Sequence, residues 1–251
     1  MITPLFKSHY SIGKSILTLE KKGSSAINGP SSIIDICLQN KLDNFCLVED
    51  SMGGFLEAYL NAKEVGISLR FGLRLTVCAD SSIKDEESLS KQAKYIIFAN
   101  NRSGYQKLIK IYGFAAKDGF YYEPRTDFNM LKEHWSDEDL TLAIPFYDSF
   151  LHKNSLRGSL CFPDFSYCQP VFFIEDNNLP FDGILEKLVE DYVKDKYEIV
   201  KAKSVFYNNR ADFKSFLTFK CINNRTTLSK PELEHMSSDE FCMESWKGQR
   251  D

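Results

Sequence analysis

Residues 95–119, YIIFANNRSGYQKLIKIYGFAAKDG, contain the pattern on which the fold depends. The apolar run Tyr95–Ala99 predicts a strand, and Ser103–Ala116 follows it with the spacing of an amphipathic helix. The residues expected on the inward side of that helix are Leu108, Ile109, Ile111 and Tyr112. The segment is therefore predicted to form a strand–helix unit.

Strand-like and helix-like segments alternate along the rest of the chain. Further strands are predicted at Asn44–Val48, Leu69–Val77, Leu140–Phe146, Val171–Glu175 and Tyr197–Val205, with a first short strand that includes Leu5 and Phe6. Further helices are predicted at Ser32–Gln39, Phe55–Val65 and Gly183–Val193. This alternation is typical of an α/β protein with a parallel sheet and helical crossovers. About seven such units in a chain of this length predict a distorted (β/α)7 barrel of the TIM-like kind.

The competing architecture is a doubly wound sheet. Such sheets usually bind nucleotides through a glycine-rich first turn, and none of the 13 glycines forms such a motif. Two polar segments, Lys21–Ser32 and Ala79–Lys91, indicate exposed loops. Neither loop is long enough to separate two domains.

Composition restricts the classes of function. The net charge of −4 is unlike that of a domain whose main task is to grip nucleic acid. The charge is uneven, however: Lys194–Lys230 contains nine basic residues and three acids, and the residues from Pro231 onward contain six acids and two bases. A solvated face followed by an acidic tail is one interpretation, and a surface that faces DNA or an acidic partner is the other.

Several features predict a cytoplasmic protein without a membrane span. No segment approaches the roughly 20 apolar residues that a membrane helix needs. The N-terminus is too polar for a signal peptide. The seven cysteines include no C-x-x-C pair, which favours buried, reduced thiols.

Residues suited to catalysis are few. None of the four histidines stands at a short metal-ligand spacing. Glu49 and Asp50 end a strong strand and could hold a metal or act as acid and base, but successive strand residues point opposite ways. No serine-hydrolase elbow is present.

Several segments, in order, resemble the N-terminal PHP (polymerase and histidinol phosphatase) domain of bacterial DNA polymerase III alpha subunits. The matching segments are Lys7–Ser11, Leu47–Ala62, Gly66–Leu75, Ile96–Gly119, Pro124–Leu131, Ile199–Phe213 and Phe216–Leu228. Ser237–Trp246 is similar to the family's linking segment toward the polymerase palm. The resemblance therefore implies a barrel domain over residues 1–235 and a tail or linker toward a polymerase body over residues 236–251.

The resemblance also implies that the metal site is degenerate. The positions of the family's metal ligands fall on Leu5, Lys7, Ser51, Arg74, Ser204 and Phe206, and the acid Asp50 remains. We therefore expect no catalytic residue, no metal ligand and no cofactor. The expected remnant is a pocket of Lys7, His9, Asp50 and Arg74 at the C-terminal ends of the strands. With one acid against two bases, this pocket is expected to keep a positive potential and to bind anions weakly.

The implied function is that of a noncatalytic scaffold or docking module in DNA replication. The parent family is a nucleotidyltransferase, but this chain alone is expected to be inactive, as part of a polymerase or as a free-standing relative. The expected partners are the polymerase body or a proofreading exonuclease, with DNA contact through residues 194–230. One alternative is a metal-dependent phosphoesterase or 3′–5′ exonuclease with a rearranged site built on His9, Asp50 and Glu57. Another is a small-molecule-binding barrel unrelated to replication.

Overall fold

The computed structural model describes residues 2–24, 29–229 and 238–250. The strands are β1 Thr3–Phe6, β2 Asn44–Glu49, β3 Ser68–Cys78, β4 Gln92–Ala99, β5 Arg125–Asp127, β6 Leu140–Ile144, β7 Val171–Ile174 and β8 Glu198–Val205. The α-helices are α1 Ile33–Gln39, α2 Phe55–Glu64, α3 Glu86–Ser90, α4 Arg102–Lys117, α5 Phe128–His134, α6 Phe150–Leu156, α7 Asp182–Val193, α8 Phe213–Asn224 and α9 Met243–Arg250, and a 3-10 turn spans Arg210–Asp212.

Seven of these strands close into a barrel. Their order is β2-β1-β8-β7-β6-β4-β3, and β3 pairs again with β2 to complete the ring. The short strand β5 pairs with the end of β3 outside this ring. The prediction of a distorted, TIM-like α/β barrel is therefore confirmed.

Strand β4 departs from the parallel arrangement that the sequence predicted. It runs antiparallel to both β3 and β6, and Cys78 at the end of β3 faces Gln92 at the start of β4. A parallel connection needs a crossover long enough to return to the opposite end of the sheet. The polar segment between these strands forms only the five-residue helix α3, so the chain turns back at the same end.

Alternation along the strands separates two apolar layers. One cluster fills the barrel and consists of Leu5, Cys46, Val48, Ile96, Phe98, Ala143, Phe173 and Ala202. The larger cluster lies between the barrel and the surrounding helices. Side chains two positions apart on a strand share a face, so the residues that follow the barrel cluster along each strand also point inward.

The buried face of helix α4 differs from the prediction at one residue. Asn101 caps the helix by accepting a hydrogen bond from the backbone N–H of Gly104. Leu108 and Ile111 are buried as predicted, but Ile109 is half exposed. One residue corresponds to a rotation of about 100° around a helix, so Ile109 leaves the inward face that Leu108 and Ile111 share.

The predicted loops are partly ordered by buried polar contacts. The segment Ala79–Lys91 contains helix α3, whose N-terminus is capped by Asp85. Ser81 and Ser88 in this segment are buried, contrary to a uniformly exposed loop. Residues 25–28 of the other predicted loop lie outside the described residues.

All seven cysteines are buried and unpaired with one another, which confirms the prediction that they are core residues. Among the described residues, no helix combines the length and apolarity needed to cross a bilayer.

The C-terminal segment packs on the barrel. Phe241 and Met243 are fully buried in the larger core cluster, and the indole N–H of Trp246 donates to the carbonyl of Ile2 at 2.9 Å. The predicted boundary between residues 235 and 236 lies outside the described residues. The role of residues 236–251 as a linker stays a prediction, but the part of them that is described contributes to the same core.

Candidate functional site

A layer of polar side chains closes the C-terminal end of the barrel. Lys7 and Asp50 stand two residues beyond Leu5 and Val48, and Arg74 stands at the same level on β3 because β2 and β3 pair Glu49 with Leu73. Strand alternation directs these side chains inward. We call the layer formed by Lys7, Asp50, Arg74, Lys94, Glu175 and Ser204 the polar layer.

Asp50 binds two ammonium groups. Lys7 Nζ lies 3.0 Å from its Oδ1 and Lys14 Nζ lies 2.6 Å from its Oδ2. Burial favours a raised pKa for Asp50, but the charges of Lys7, Lys14 and Arg74 outweigh burial and hold this pKa well below its usual range. Burial lowers the pKa of Lys7, and the charges of Asp50 and Glu49 oppose that shift. Both oxygens of Asp50 are thus occupied by side-chain cations.

Glu49 makes different contacts from the adjacent residue Asp50. Its carboxylate accepts the backbone N–H of Ser8 at 2.8 Å and the hydroxyl of Ser11 at 2.5 Å, which fixes the loop after β1. Burial raises the pKa of Glu49. The two adjacent carboxylates therefore face different surroundings, as strand alternation predicted.

Arg74 has an acid partner that sequence reasoning missed. Its Nη2 lies 2.7 Å from Asp148 Oδ2, and the backbone N–H of Asp148 donates to the ring of His152 at 3.0 Å. Burial opposes ionisation of Asp148, but Arg74 outweighs it and lowers its pKa to about 2. The expected count of one acid against two bases is therefore incomplete, because Asp148 supplies a second acid beside Arg74. The sequence could have suggested Asp148 as a site residue, because it is an acid two residues after the predicted strand Leu140–Phe146.

The rest of the polar layer is also internally satisfied. Lys94 Nζ lies 2.5 Å from both Glu123 Oε2 and Thr76 Oγ1. Glu175 accepts the backbone N–H of Ser204 at 2.8 Å and its hydroxyl at 2.9 Å. Burial raises the pKa of Glu175. Sequence reasoning identified none of these three residue pairs, because each depends on how the barrel closes.

His9 does not join the polar layer through any contact observed. It is exposed, its Nδ1 lies 3.3 Å from the carbonyl oxygen of Leu17, and its ring packs on Tyr10 with centroids 4.5 Å apart. The hydroxyl of Tyr10 donates to Glu57 at 2.7 Å. Of the three residues of the rearranged phosphoesterase site, His9 and Glu57 therefore share Tyr10 as a partner, whereas Asp50 is bound to Lys7 and Lys14.

Comparison with known proteins identifies relatives of the chain. Residues 8–156 match the PHP domain family. The chain is 26% identical over 204 residues to the DNA polymerase III subunit alpha of Thermus aquaticus, which covers 76% of the chain and 17% of that relative. The protein of the same name from Borreliella burgdorferi is 28% identical over 116 residues, 44% of the chain and 10% of the relative. The one from Helicobacter pylori, strain 26695, is 33% identical over 85 residues, 34% of the chain and 7% of the relative. The chain thus spans less than a fifth of the length of these relatives, and the resemblance read from the sequence is confirmed.

We call the C-terminal end of the barrel, where the polar layer lies, the mouth. The residues there do not fit the metal ions that the family's ligand positions would hold. Leu5 belongs to the apolar barrel cluster, and Phe206 stacks on Phe241 with centroids 5.3 Å apart. Ser51 accepts a turn hydrogen bond from Gly53, and both oxygens of Asp50 are bound to ammonium groups. Over residues 2–24, 29–229 and 238–250, no three His, Cys, Asp or Glu side chains are placed to hold a metal. A metal site needs several such ligands around one open position.

Proposed function

We propose that this chain, which belongs to the PHP domain family, is a noncatalytic PHP domain that acts as a scaffold and docking module for a replicative DNA polymerase in the cytoplasm. The observation that carries the proposal is the contact of Lys7 Nζ with Asp50 Oδ1 at 3.0 Å, at the place where the family's metal ligands fall. Its chemistry is that of a closed ion pair rather than of an open coordination position.

The ion pair opposes metal binding in two ways. A divalent cation would have to displace Lys7 and Lys14 from Asp50 before it could use either oxygen. It would also approach Arg74, whose positive charge is within electrostatic range of Asp50. Like charges brought together at a buried site repel strongly because water screens them poorly. No observation favours the rearranged phosphoesterase or exonuclease site.

The proposed partners are the polymerase body or a proofreading exonuclease, and protein contact is favoured over contact with DNA. The basic stretch 194–230 does not form one face: Lys203 is fully buried, with its ammonium 2.6 Å from the carbonyl of Asp176. Lys194 and Lys196 precede the eight-residue strand β8, whereas Arg210 follows it. A strand of that length separates its ends by roughly 26 Å. Lys230 lies outside the described residues.

Elemental analysis tests the proposed loss of catalysis. The chain is expressed with added Zn²⁺, Mn²⁺ and Fe²⁺, purified without chelator and measured for bound metal. We expect no stoichiometric metal and no change in melting temperature on addition of EDTA. Two or three equivalents of tightly bound metal, lost in the variant Asp50→Asn and accompanied by hydrolysis of a phosphoester, would overturn the proposal. Retention of that metal in Asp50→Asn would identify binding elsewhere.

Co-purification tests the proposed docking. The tagged chain is mixed with the cognate polymerase body and, separately, with the cognate exonuclease, at low salt. A complex with either protein at micromolar concentration is expected. Absence of both complexes, for a chain that remains folded by circular dichroism, contradicts the docking role.

A further inference from the structure

Two loops outside the polar layer, residues 79–85 between β3 and α3 and residues 118–124 between α4 and β5, present large apolar side chains to solvent. Ile83, Phe120 and Tyr122 are 48%, 46% and 78% exposed. We call these three side chains the Tyr122 patch. Isolated exposed apolar residues are ordinary on protein surfaces. The Tyr122 patch differs from them in how its loops are held and in the charges around it.

The buried residue Arg125 holds the two loops together. Its guanidinium donates to the carbonyl of Ile83 at 3.1 Å and to the carbonyl of Gly119 at 3.3 Å. The guanidinium also lies over the ring of Tyr121, 5.0 Å from its centroid. Gly119 approaches the Arg125 backbone so closely that a Cβ would stand 2.0 Å from the carbonyl oxygen. The backbone that carries the patch is therefore held in place before any partner arrives, which reduces the entropy lost on binding.

Tyr122 is kept in an unfavourable backbone conformation. Its φ is +60°, in the left-handed region that favours glycine. Its side chain meets Tyr121 edge to face at 4.7 Å and is otherwise largely in solvent. The fold thus gains little from a tyrosine at this position. Strained residues of this kind cluster at binding sites, where the strain is part of the presentation of the side chain.

The surroundings of the patch are acidic. The exposed charged residues within 79–91 and 117–122 are the acids Asp80, Asp85, Glu86, Glu87 and Asp118 and the bases Lys84, Lys91 and Lys117. Tyr121 lies within electrostatic range of Asp85 and Glu86. The excess of negative charge favours a basic partner and repels the phosphates of nucleic acid. Aromatic anchors surrounded by charge are typical of protein-binding surfaces.

We propose that the Tyr122 patch binds a basic segment of a partner protein, which packs an apolar side chain on Phe120 and Tyr122 and places Lys or Arg side chains against Asp85 and Glu86. The inference rests on the proposed docking function and names the surface and the chemistry of the partner. Single-stranded DNA and a second copy of this chain are the competing occupants.

Peptide selection on the intact chain tests the inference. A phage library of random 12-residue peptides is selected on the chain, and enriched peptides are synthesised with a fluorescent label for anisotropy titration. We expect enriched peptides to combine Lys or Arg with an aromatic or aliphatic residue. Tyr122→Gly should raise Kd about tenfold, since it removes an aromatic anchor. Because glycine accepts a positive φ, the melting temperature should not fall.

Two further variants separate the patch from general stickiness. Asp85→Lys combined with Glu86→Lys should raise Kd about tenfold and reduce the dependence of Kd on salt. Ile109→Ser is the matched control, because Ile109 is 49% exposed on helix α4. This control should leave Kd unchanged within about twofold, as expected of a residue outside the interface.

Three results would overturn the inference. The first is selection of peptides without basic residues, and the second is a Kd that Tyr122→Gly leaves unchanged. The third is that Tyr122 is needed for binding of a labelled 20-nucleotide single strand, or for self-association of the chain, and not for binding of the peptides. The proposed function fails separately. Stoichiometric metal with phosphoester hydrolysis would refute the noncatalytic role even if Tyr122-dependent peptide binding were intact.

Discussion

Replacement of Lys7 by methionine should destabilise the folded barrel by about 2 kcal/mol at pH 7. The Lys7 Nζ–Asp50 Oδ1 distance of 3.0 Å corresponds to an attraction of roughly 5 kcal/mol at an effective dielectric constant near 20. The burial of the ammonium offsets several kcal/mol of that attraction. In Lys7→Met the carboxylate of Asp50 keeps Lys14 at 2.6 Å, so the loss is smaller than for a carboxylate left without a partner.

A double-mutant cycle separates the coupling energy between Lys7 and Asp50 from the other effects of each substitution. Asp50→Asn leaves the ammonium of Lys7 buried beside Ser11, whose hydroxyl is 3.5 Å away, and should cost about 3 kcal/mol. The double variant Lys7→Met/Asp50→Asn should cost less than the sum of the single variants, with a coupling energy of about 2 kcal/mol. Lys14→Met is the control, because Lys14 is 46% exposed and should contribute less than about 1 kcal/mol.

Urea unfolding provides the measurement. The free energy of unfolding is obtained for each variant from circular dichroism and from the fluorescence of the chain's two tryptophans. A change of about 2 kcal/mol also corresponds to a shift of roughly 6 °C in melting temperature for a domain of this size. A coupling energy below about 0.5 kcal/mol would refute the reasoning, because Lys7 and Asp50 would then be independent despite their contact.

Two further perturbations test the second ion pair and the C-terminal segment. Arg74 lowers the pKa of Asp148 to about 2 from 3.8, despite the opposing effect of burial, so its stabilising contribution is complete above the unfolded value and is lost as the pH falls toward 2. Asp148→Asn should flatten this part of the curve of unfolding free energy between pH 5 and 2, and an unchanged slope would contradict the pairing. Trp246→Ala should cost about 3 to 5 kcal/mol in urea unfolding, because the indole is almost fully buried. Unfolding of α9 in a separate, earlier transition would contradict its place in the larger core cluster.

The sequence predicted most of the barrel because its strands are strongly apolar. Seven strands were found within a few residues of their observed ends, since a buried strand is a short apolar run bounded by polar segments. The exception is β5, whose three residues Arg125–Asp127 carry no apolar pattern. The reversed direction of β4 could not be predicted from periodicity, because the same pattern fits a strand in either direction.

The site was predicted in part. Lys7 and Asp50 end neighbouring strands, and parallel pairing at Leu5–Cys46 and Phe6–Leu47 brings such ends together. Asp148 lies beyond β6, and its pairing with Arg74 depends on a barrel closed through the antiparallel strand β4. Contacts between residues separated by 74 positions require the topology, which local sequence patterns do not supply.

The charges of the polar layer also indicate what would keep the barrel mouth folded if, as proposed, it binds no metal ion. Asp50 and Asp148 are carboxylates held at one end of a barrel, where burial alone would favour their protonated forms. Lys7 and Arg74 supply one positive charge to each, at 3.0 Å and 2.7 Å. A metal ion that neutralised the same acids could dissociate or be removed by a chelator, whereas a covalently attached ammonium or guanidinium cannot. On the proposed function, we therefore expect folding of the mouth to depend on the protonation of side chains and not on the concentration of a divalent ion.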